Sequence, residues 1–178
     1  MIQLETERLV MRQWQESDIR PFAEMNRDER IMEYFPFNLT PEESLAMINY
    51  FCNQMQEKAC LYLPVIKKKT GSFAGVVNLA PVAFDAHFTP AVEIGWRLAF
   101  DCWGRGYATE AAKSLVDHGF EKLHLDEIVS FTAVGNIRSC AVMERLGMTR
   151  EKEFDHPGLA PENPLRRHAL YRIARENI

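Results

Sequence analysis

Cysteine is scarce in this chain, and the four that occur lie far apart. Cys52, Cys60, Cys102 and Cys140 are separated by 8, 42 and 38 positions. Those spacings suit neither a CxxC metal site nor the disulfide framework of a small secreted domain, so they read as thiols in a reducing compartment. The five histidines share no metal-ligand spacing either. Long apolar runs are absent. The longest uncharged stretch, Thr70 to Phe84, spans 15 residues and is interrupted by Gly and Pro. A membrane-spanning helix needs roughly 18 to 20. The opening MIQLETERLV carries charge where a signal peptide needs an apolar core, which makes the cytoplasm the expected location. An excess of positive charge is also missing. Lys and Arg number 21 against 25 Asp and Glu, a net charge of −4 that argues against a broad nucleic-acid-binding face. No internal repeat and no Pro-, Gly- or Ser-rich linker divides the 178 residues. With 47% apolar and 26% charged residues, the composition is that of a globular chain, and one domain is expected.

Apolar periodicity and capping residues place the elements. Arg8 to Gln13 reads as a short strand. Ser17-Asp18 opens a helix in which Pro21 falls within the tolerated first turn. In Thr40-Pro41-Glu42-Glu43, Thr40 caps a second helix, Pro41 takes its first position and Glu43 closes a capping box. Leu45, Ile48, Cys52 and Met55 give this helix an apolar face. Cys60–Ile66 and Phe73–Leu79 form a hairpin around the turn from Lys67 to Gly71. A loop from Pro81 to Pro90 leads to a third sheet segment, Ala91–Ala99. There Val92, Ile94, Trp96 and Leu98 share one face, and Glu93, Gly95 and Arg97 the other. Ala108, Ala111, Ala112, Leu115, Val116 and Phe120 mark an amphipathic helix. A strand over Glu127–Ala133 and a short helix over Asn136–Leu146 follow, the helix ended by a left-handed Gly147. Strands near Thr149–Phe154 and His168–Ala174 close the chain. The pattern is a mixed α/β domain built on one sheet.

The chemistry concentrates in EIGWRLAFDCWGRGYATEA, Glu93 to Ala111, where a strand runs through a glycine-containing loop into a helix. Gly104 and Gly106 permit a sharp turn, and the amides from Arg105 to Thr109 would point free at the helix start. Free amides and the helix dipole suit phosphate or pyrophosphate. A plain tight strand-to-helix turn accounts for the same residues equally well. Two nucleotide fingerprints fail. No GxxxxGK[ST] occurs, and Thr109 stands where GxGxxG needs its third glycine.

WGRGYATEAAKSLVDHGF resembles the acyl-CoA-binding motif of the GNAT N-acetyltransferase superfamily. NIRSCAVMERLGM, Asn136 to Met148, is similar to the segment that follows it there, and ETERLVMRQWQESDI resembles the RimJ/RimL-like branch. The resemblance implies a single N-acetyltransferase domain over 1–178, of mixed α+β class, with a central, mostly antiparallel, splayed sheet flanked by helices. It implies acetyl-CoA as cofactor, its pyrophosphate on the amides of Gly104, Arg105, Gly106, Ala108 and Thr109. Its pantetheine arm would bond the backbone near Arg97, Leu98 and Ala99, where the third sheet segment splays from the Glu127–Ala133 strand. Asn136 would bond the pantetheine while its oxygen caps the helix. Gly95 suits a bulge or a close backbone approach. Trp103 replaces the polar residue that leads the superfamily pattern, so no diphosphate contact is carried over to that side chain.

Acetyl transfer to an amine needs a base, an oxyanion donor and a proton for the departing sulfur. Glu93 is the base candidate, its plainer reading being an ion pair with Arg97. A backbone amide near Leu98 is the natural oxyanion donor. Ser139 is the acid candidate, its plainer reading being a serine that satisfies the helix end. His156 and His168 are candidates to line an acceptor pocket, with Tyr171 expected on the side of His168. No cysteine sits in a nucleophile motif, so direct transfer in a ternary complex is expected. The acceptor would be a primary amine, on a protein N-terminus or a small molecule, with no nucleic acid, membrane or metal involved. A homodimer stays open. The alternative is a non-catalytic acyl-CoA-binding sensor or partner module.

Overall fold

The early helices are set by capping at their starts. The computed structural model describes residues 2–57 and 60–175. Helix α1 (Glu16–Arg27) starts where the Gln15 amide donates to the Asp18 carboxylate at 2.8 Å. Arg12 grips the same carboxylate at 2.7 and 3.0 Å. This start is earlier than expected, so Pro21 lies inside the helix rather than in its first turn. Helix α2 (Glu29–Met32) was not expected, being a single turn capped by Asp28. Helix α3 (Pro41–Glu57) has the expected box: the Thr40 amide donates to Glu43 at 2.8 Å and the Glu43 amide to Thr40 Oγ1 at 3.2 Å. Of its expected apolar face, Ile48, Cys52 and Met55 pack against the core and Leu45 does not. Ser44 is fully buried, and Leu45 is 40% exposed.

The strands are β1 (Leu4–Glu5), β2 (Leu9–Met11), β3 (Leu61–Lys67), β4 (Phe73–Pro81), β5 (Val92–Leu98) and β6 (Glu127–Ala133). After them come β7 (Thr149–Arg150), β8 (Phe154–Asp155) and β9 (Arg167–Ala174). They form one sheet in the order β1-β2-β3-β4-β5-β6-β9-β7, with β8 also on β9. Every neighbouring pair is antiparallel except β5 and β6. The expected strand Thr149–Phe154 is broken into β7 and β8, which pair with separate stretches of β9.

Both faces of the sheet are covered. Helix α4 (Tyr107–Glu121) lays Ala111, Ala112, Leu115 and Val116 against Leu63, Val77, Leu79, Ile94 and Leu98. Helix α5 (Ile137–Arg145) adds Cys140 and Met143 to that core. On the other side Phe22, Met25 and Ile48 of α1 and α3 pack on Val76. The loop over 82–91 covers β6 and β9 with Phe84 and Phe88 against Phe131, Phe154 and Leu170. Among the described residues no helix is long and apolar enough to cross a membrane.

The functional cleft opens where the sheet comes apart. β6 pairs with β9 along its whole length, from Glu127↔Ala174 to Ala133↔His168. Against β5 it pairs at Glu93↔Val129 alone among the described residues. Beyond that bridge the two parallel strands diverge, as expected.

Candidate active site

The backbone of β5 presents only alternate residues to the cleft. At one end of the β4–β5 ladder the Val82 amide bonds the Ala91 carbonyl, and at the other the Ala99 amide bonds the Ala74 carbonyl, both at 2.9 Å. Antiparallel alternation therefore turns Glu93, Arg97 and Ala99 toward β4 with their backbone groups, and Trp96 and Leu98 toward the cleft. Of the three backbone positions expected to hold pantetheine, Leu98 alone faces it. Its carbonyl already accepts the Trp103 indole N–H at 2.9 Å, which leaves its amide as the open donor.

The side chains of β5 divide as expected. Ile94 and Leu98 are buried toward α4, while Arg97 reaches Asn26 of α1 on the other side. Glu93 makes no ion pair with Arg97, and none of the described hydrogen bonds uses its carboxyl group. Burial pushes its pKa up to about 7. Gly95 sits in unbroken register with Asn78, so there is no bulge here. A Cβ at Gly95 would stand 2.6 Å from Asn78 Oδ1, so glycine lets the Asn78 side chain cross the strand. The irregularity in this part of the sheet lies between β3 and β4, at Val65/Ile66.

The loop after β5 ends at Gly106, the α4 N-cap, with φ 77° and no side chain to cap the helix. The first intrahelical bond runs from the Glu110 amide to the Gly106 carbonyl at 3.0 Å, so the amides of Tyr107, Ala108 and Thr109 stay open. A Cβ at Gly104 would meet nothing within 4 Å. Open amides beside open space fit a diphosphate. Arg105 points elsewhere. It is exposed, its Nε bonds the Asp101 carbonyl at 3.0 Å, and it does not line the cleft. Sequence reasoning missed Arg8, which donates to the Arg105 carbonyl at 2.9 Å and to Glu110 at 2.7 Å and lies over the Tyr107 ring. Its signal was an arginine in ETERLVMR with no use of its own.

On the facing side Asn136 caps α5, accepting from the Ser139 amide at 3.2 Å. Its Nδ2 donates to Thr132 Oγ1 at 3.0 Å, so one of its two amide hydrogens is already held. Because Asn136 caps the helix, the Ser139 hydroxyl is not needed there. It lines the cleft, and no described hydrogen bond uses it. The residues after α2 roof the opening. The Tyr34 hydroxyl donates to the Gly135 carbonyl at 3.0 Å, Glu33 pairs with Arg138 at 2.7 Å, and Arg138 stacks on Trp103.

One continuous cleft of about 1060 Å³ joins these parts, from Gly104, Gly106, Ala108 and Thr109 past Leu98 to Glu93 and Ser139. His156 and His168 close its far end with ring centroids 5.1 Å apart, and burial holds both pKa values below the usual histidine range. Tyr171 is not there. Three steps along a strand is an odd number, so it faces α5, buried, with its hydroxyl on Glu144 at 3.2 Å. Cys102 lines the cleft, but burial raises its thiol pKa, which makes it a poor nucleophile. The described residues contain no cluster of three or more His, Cys, Asp or Glu able to hold a metal ion.

A splayed mixed sheet with an uncapped helix start at the mouth of the splay defines an acyltransferase scaffold. The chain belongs to the acetyltransferase (GNAT) domain family, whose model matches residues 8–149, and it is an N-acetyltransferase. It is 31% identical over 150 residues to the uncharacterized N-acetyltransferase YnaD of Bacillus subtilis, covering 84% of each chain. The GNAT-family acetyltransferase from Bacillus anthracis superposes with a TM-score of 0.81 at 26% identity, over 98% of this chain and 99% of that one. RimL, a ribosomal L7/L12 alpha-N-protein acetyltransferase crystallised with coenzyme A, shares the fold with a TM-score of 0.81 at 16% identity, over 99% and 100% of the two chains.

Proposed function

We propose that the protein transfers an acetyl group from acetyl-CoA directly to a primary amine within a ternary complex. One observation carries this reading: the same cleft joins the open amides of α4 to the unpartnered carboxyl group of Glu93. Bound there, acetyl-CoA supplies the acetyl group activated as a thioester. Gly104, Gly106, Ala108 and Thr109 would hold its diphosphate, and the Leu98 amide and Asn136 its pantetheine arm. Glu93, at the bridge where β5 and β6 part, takes the proton from the incoming ammonium. Its pKa of about 7 places it among carboxylates tuned for general base work near neutrality. Ser139 offers its hydroxyl proton to the departing sulfur from the opposite wall. The raised thiol pKa of Cys102 supports transfer without an acyl-cysteine. The wide spacing of the four cysteines supports a reducing, cytoplasmic setting.

The test is acetyl-CoA-dependent release of thiol in the presence of a panel of primary amines and of peptides with free N-termini. CoA binding without thiol release on any acceptor would leave a binding module instead. Ser139→Ala separates its two readings in the same assay. As a proton donor it acts in the transition state, so kcat should fall about 10-fold to 100-fold. The melting temperature should barely move, because Asn136 carries the cap. A loss of stability of roughly 0.5 to 1 kcal/mol with kcat unchanged would strike Ser139 from the reaction.

A further inference from the structure

Arg97 is a half-buried cation with no anion beside it. Among the described residues every other arginine either faces a carboxylate, as Arg12 and Arg172 do, or is exposed, as Arg27, Arg105, Arg145 and Arg175 are. Arg97 instead donates to the neutral Asn26 Oδ1 and lies 4.1 Å from the centroid of the Phe35 ring. Its Nε is buried and has no hydrogen-bond partner. Asn26 is fully buried and is fixed in turn by Ser44 Oγ at 3.1 Å, so α1 and α3 hold the guanidinium in place. Desolvation lowers the Arg97 pKa to about 10, which leaves it charged at neutral pH. A desolvated charge without a counterion is costly, and a fixed guanidinium with free donors matches a carboxylate. Arg97 lines the same cleft as Glu93, on the same face of β5, with Gly95 and its crossing Asn78 between them.

We propose that Arg97 binds the carboxylate of the acceptor, so that the substrate is a small amino acid-like amine carrying both an ammonium and a carboxylate group. This rests on the acetyltransferase reading above. Four steps along the strand set the Cα atoms of Glu93 and Arg97 about 13 Å apart, so the ammonium that meets Glu93 and the carboxylate that meets Arg97 lie several bonds apart, as in an ω-amino acid. Phe22, Phe35 and Phe51, which line the cleft on this side, face the apolar chain between the two charges. A protein N-terminus has an amide where this site calls for a carboxylate, and it lacks the anion.

The test compares matched pairs in the full-length protein: 4-aminobutyrate with propylamine, 5-aminopentanoate with butylamine, and 6-aminohexanoate with pentylamine. The wild type should favour the amino acid of a pair by about 10-fold or more in kcat/KM, the worth of a hydrogen-bonded charge. Arg97→Gln should remove most of that preference by raising the KM for the amino acid, while the Kd for CoA stays as in wild type. Arg97→Lys, which keeps charge without the planar fork, should recover part of it. Equal rates on both members of each pair overturn the proposal and leave the acetyltransferase reading standing. So does turnover restricted to peptides, or an Arg97→Gln effect confined to the KM for acetyl-CoA. If no acceptor is used, a thermal shift with the amino acids in the presence of CoA decides, and the absence of an Arg97-dependent shift rejects the subsite. Failure of the wild type to bind CoA would instead remove the acetyltransferase reading itself.

Discussion

Glu93→Gln is expected to lower kcat/KM by about 100-fold or more near pH 6.5, within the usual range for loss of a general base, with CoA affinity unchanged. The deficit should narrow toward pH 9, where more of the amine arrives already neutral. In the wild type, kcat/KM should climb as the Glu93 carboxyl ionises around pH 7. The same burial that tunes the group weakens the fold, and the sign follows from proton counting. Between the ordinary carboxyl pKa of 4.5 and the folded value of about 7, the native state holds a proton that the unfolded chain has released. Stability therefore falls as pH rises through that window. Glu93→Gln escapes this cost, so its melting temperature should exceed that of wild type at pH 8 and match it near pH 4.5. A rate undiminished from pH 6 to 9 would assign proton removal to another group or to solvent.

Gly106→Val should weaken CoA binding by at least about 100-fold, the worth of two hydrogen bonds to a charged ligand. Gly106 holds φ at 77°, a conformation that a β-branched residue adopts only under strain. Its Cβ would also stand 3.4 Å from the Arg8 guanidinium. Part of any loss could therefore come from the loop itself. Gly106→Asn separates the causes, because asparagine tolerates the left-handed backbone and still places a side chain over the amides of α4. Calorimetric titration with CoA, alongside thermal melts, reads both. If both variants melt like wild type and bind CoA with wild-type affinity, the diphosphate does not sit at this helix start.

What the sequence revealed was local, and what it hid was held across long separations. β6 and the Thr40–Glu43 box lay where strand periodicity and capping chemistry put them. The loop from Trp103 to Thr109 was visible as two glycines before a helix, a pattern that a plain tight turn explains equally well, so its reading as a cofactor loop came from the resemblance. The burial of Ser44 in place of Leu45 could not be read from the residues of α3 alone, since Ser44 turns in to meet Asn26, 18 positions away. The plainer reading of Glu93, an ion pair with Arg97, failed because four steps along a strand set the two Cα atoms about 13 Å apart, and Asn26, 71 residues distant, takes the guanidinium. Arg8 reaches Glu110 across 102 positions, a contact that no window of sequence contains. One-turn α2 has too few residues to display a period, yet the roof of the cleft depends on the segment it leads into. The face of Tyr171 needed only counting, because an odd step along a strand changes sides.

The single bridge between β5 and β6 makes β5 a strand protected on one edge only. In hydrogen–deuterium exchange without ligand, its amides should alternate. Those of Glu93, Gly95 and Arg97, turned into the β4 ladder, should exchange slowly, and those of Trp96 and Leu98, turned to the open edge, should exchange fast. A ligand that lies along that edge would erase the alternation from the Trp96 end to Leu98, and the residues it slows would trace its path through the cleft.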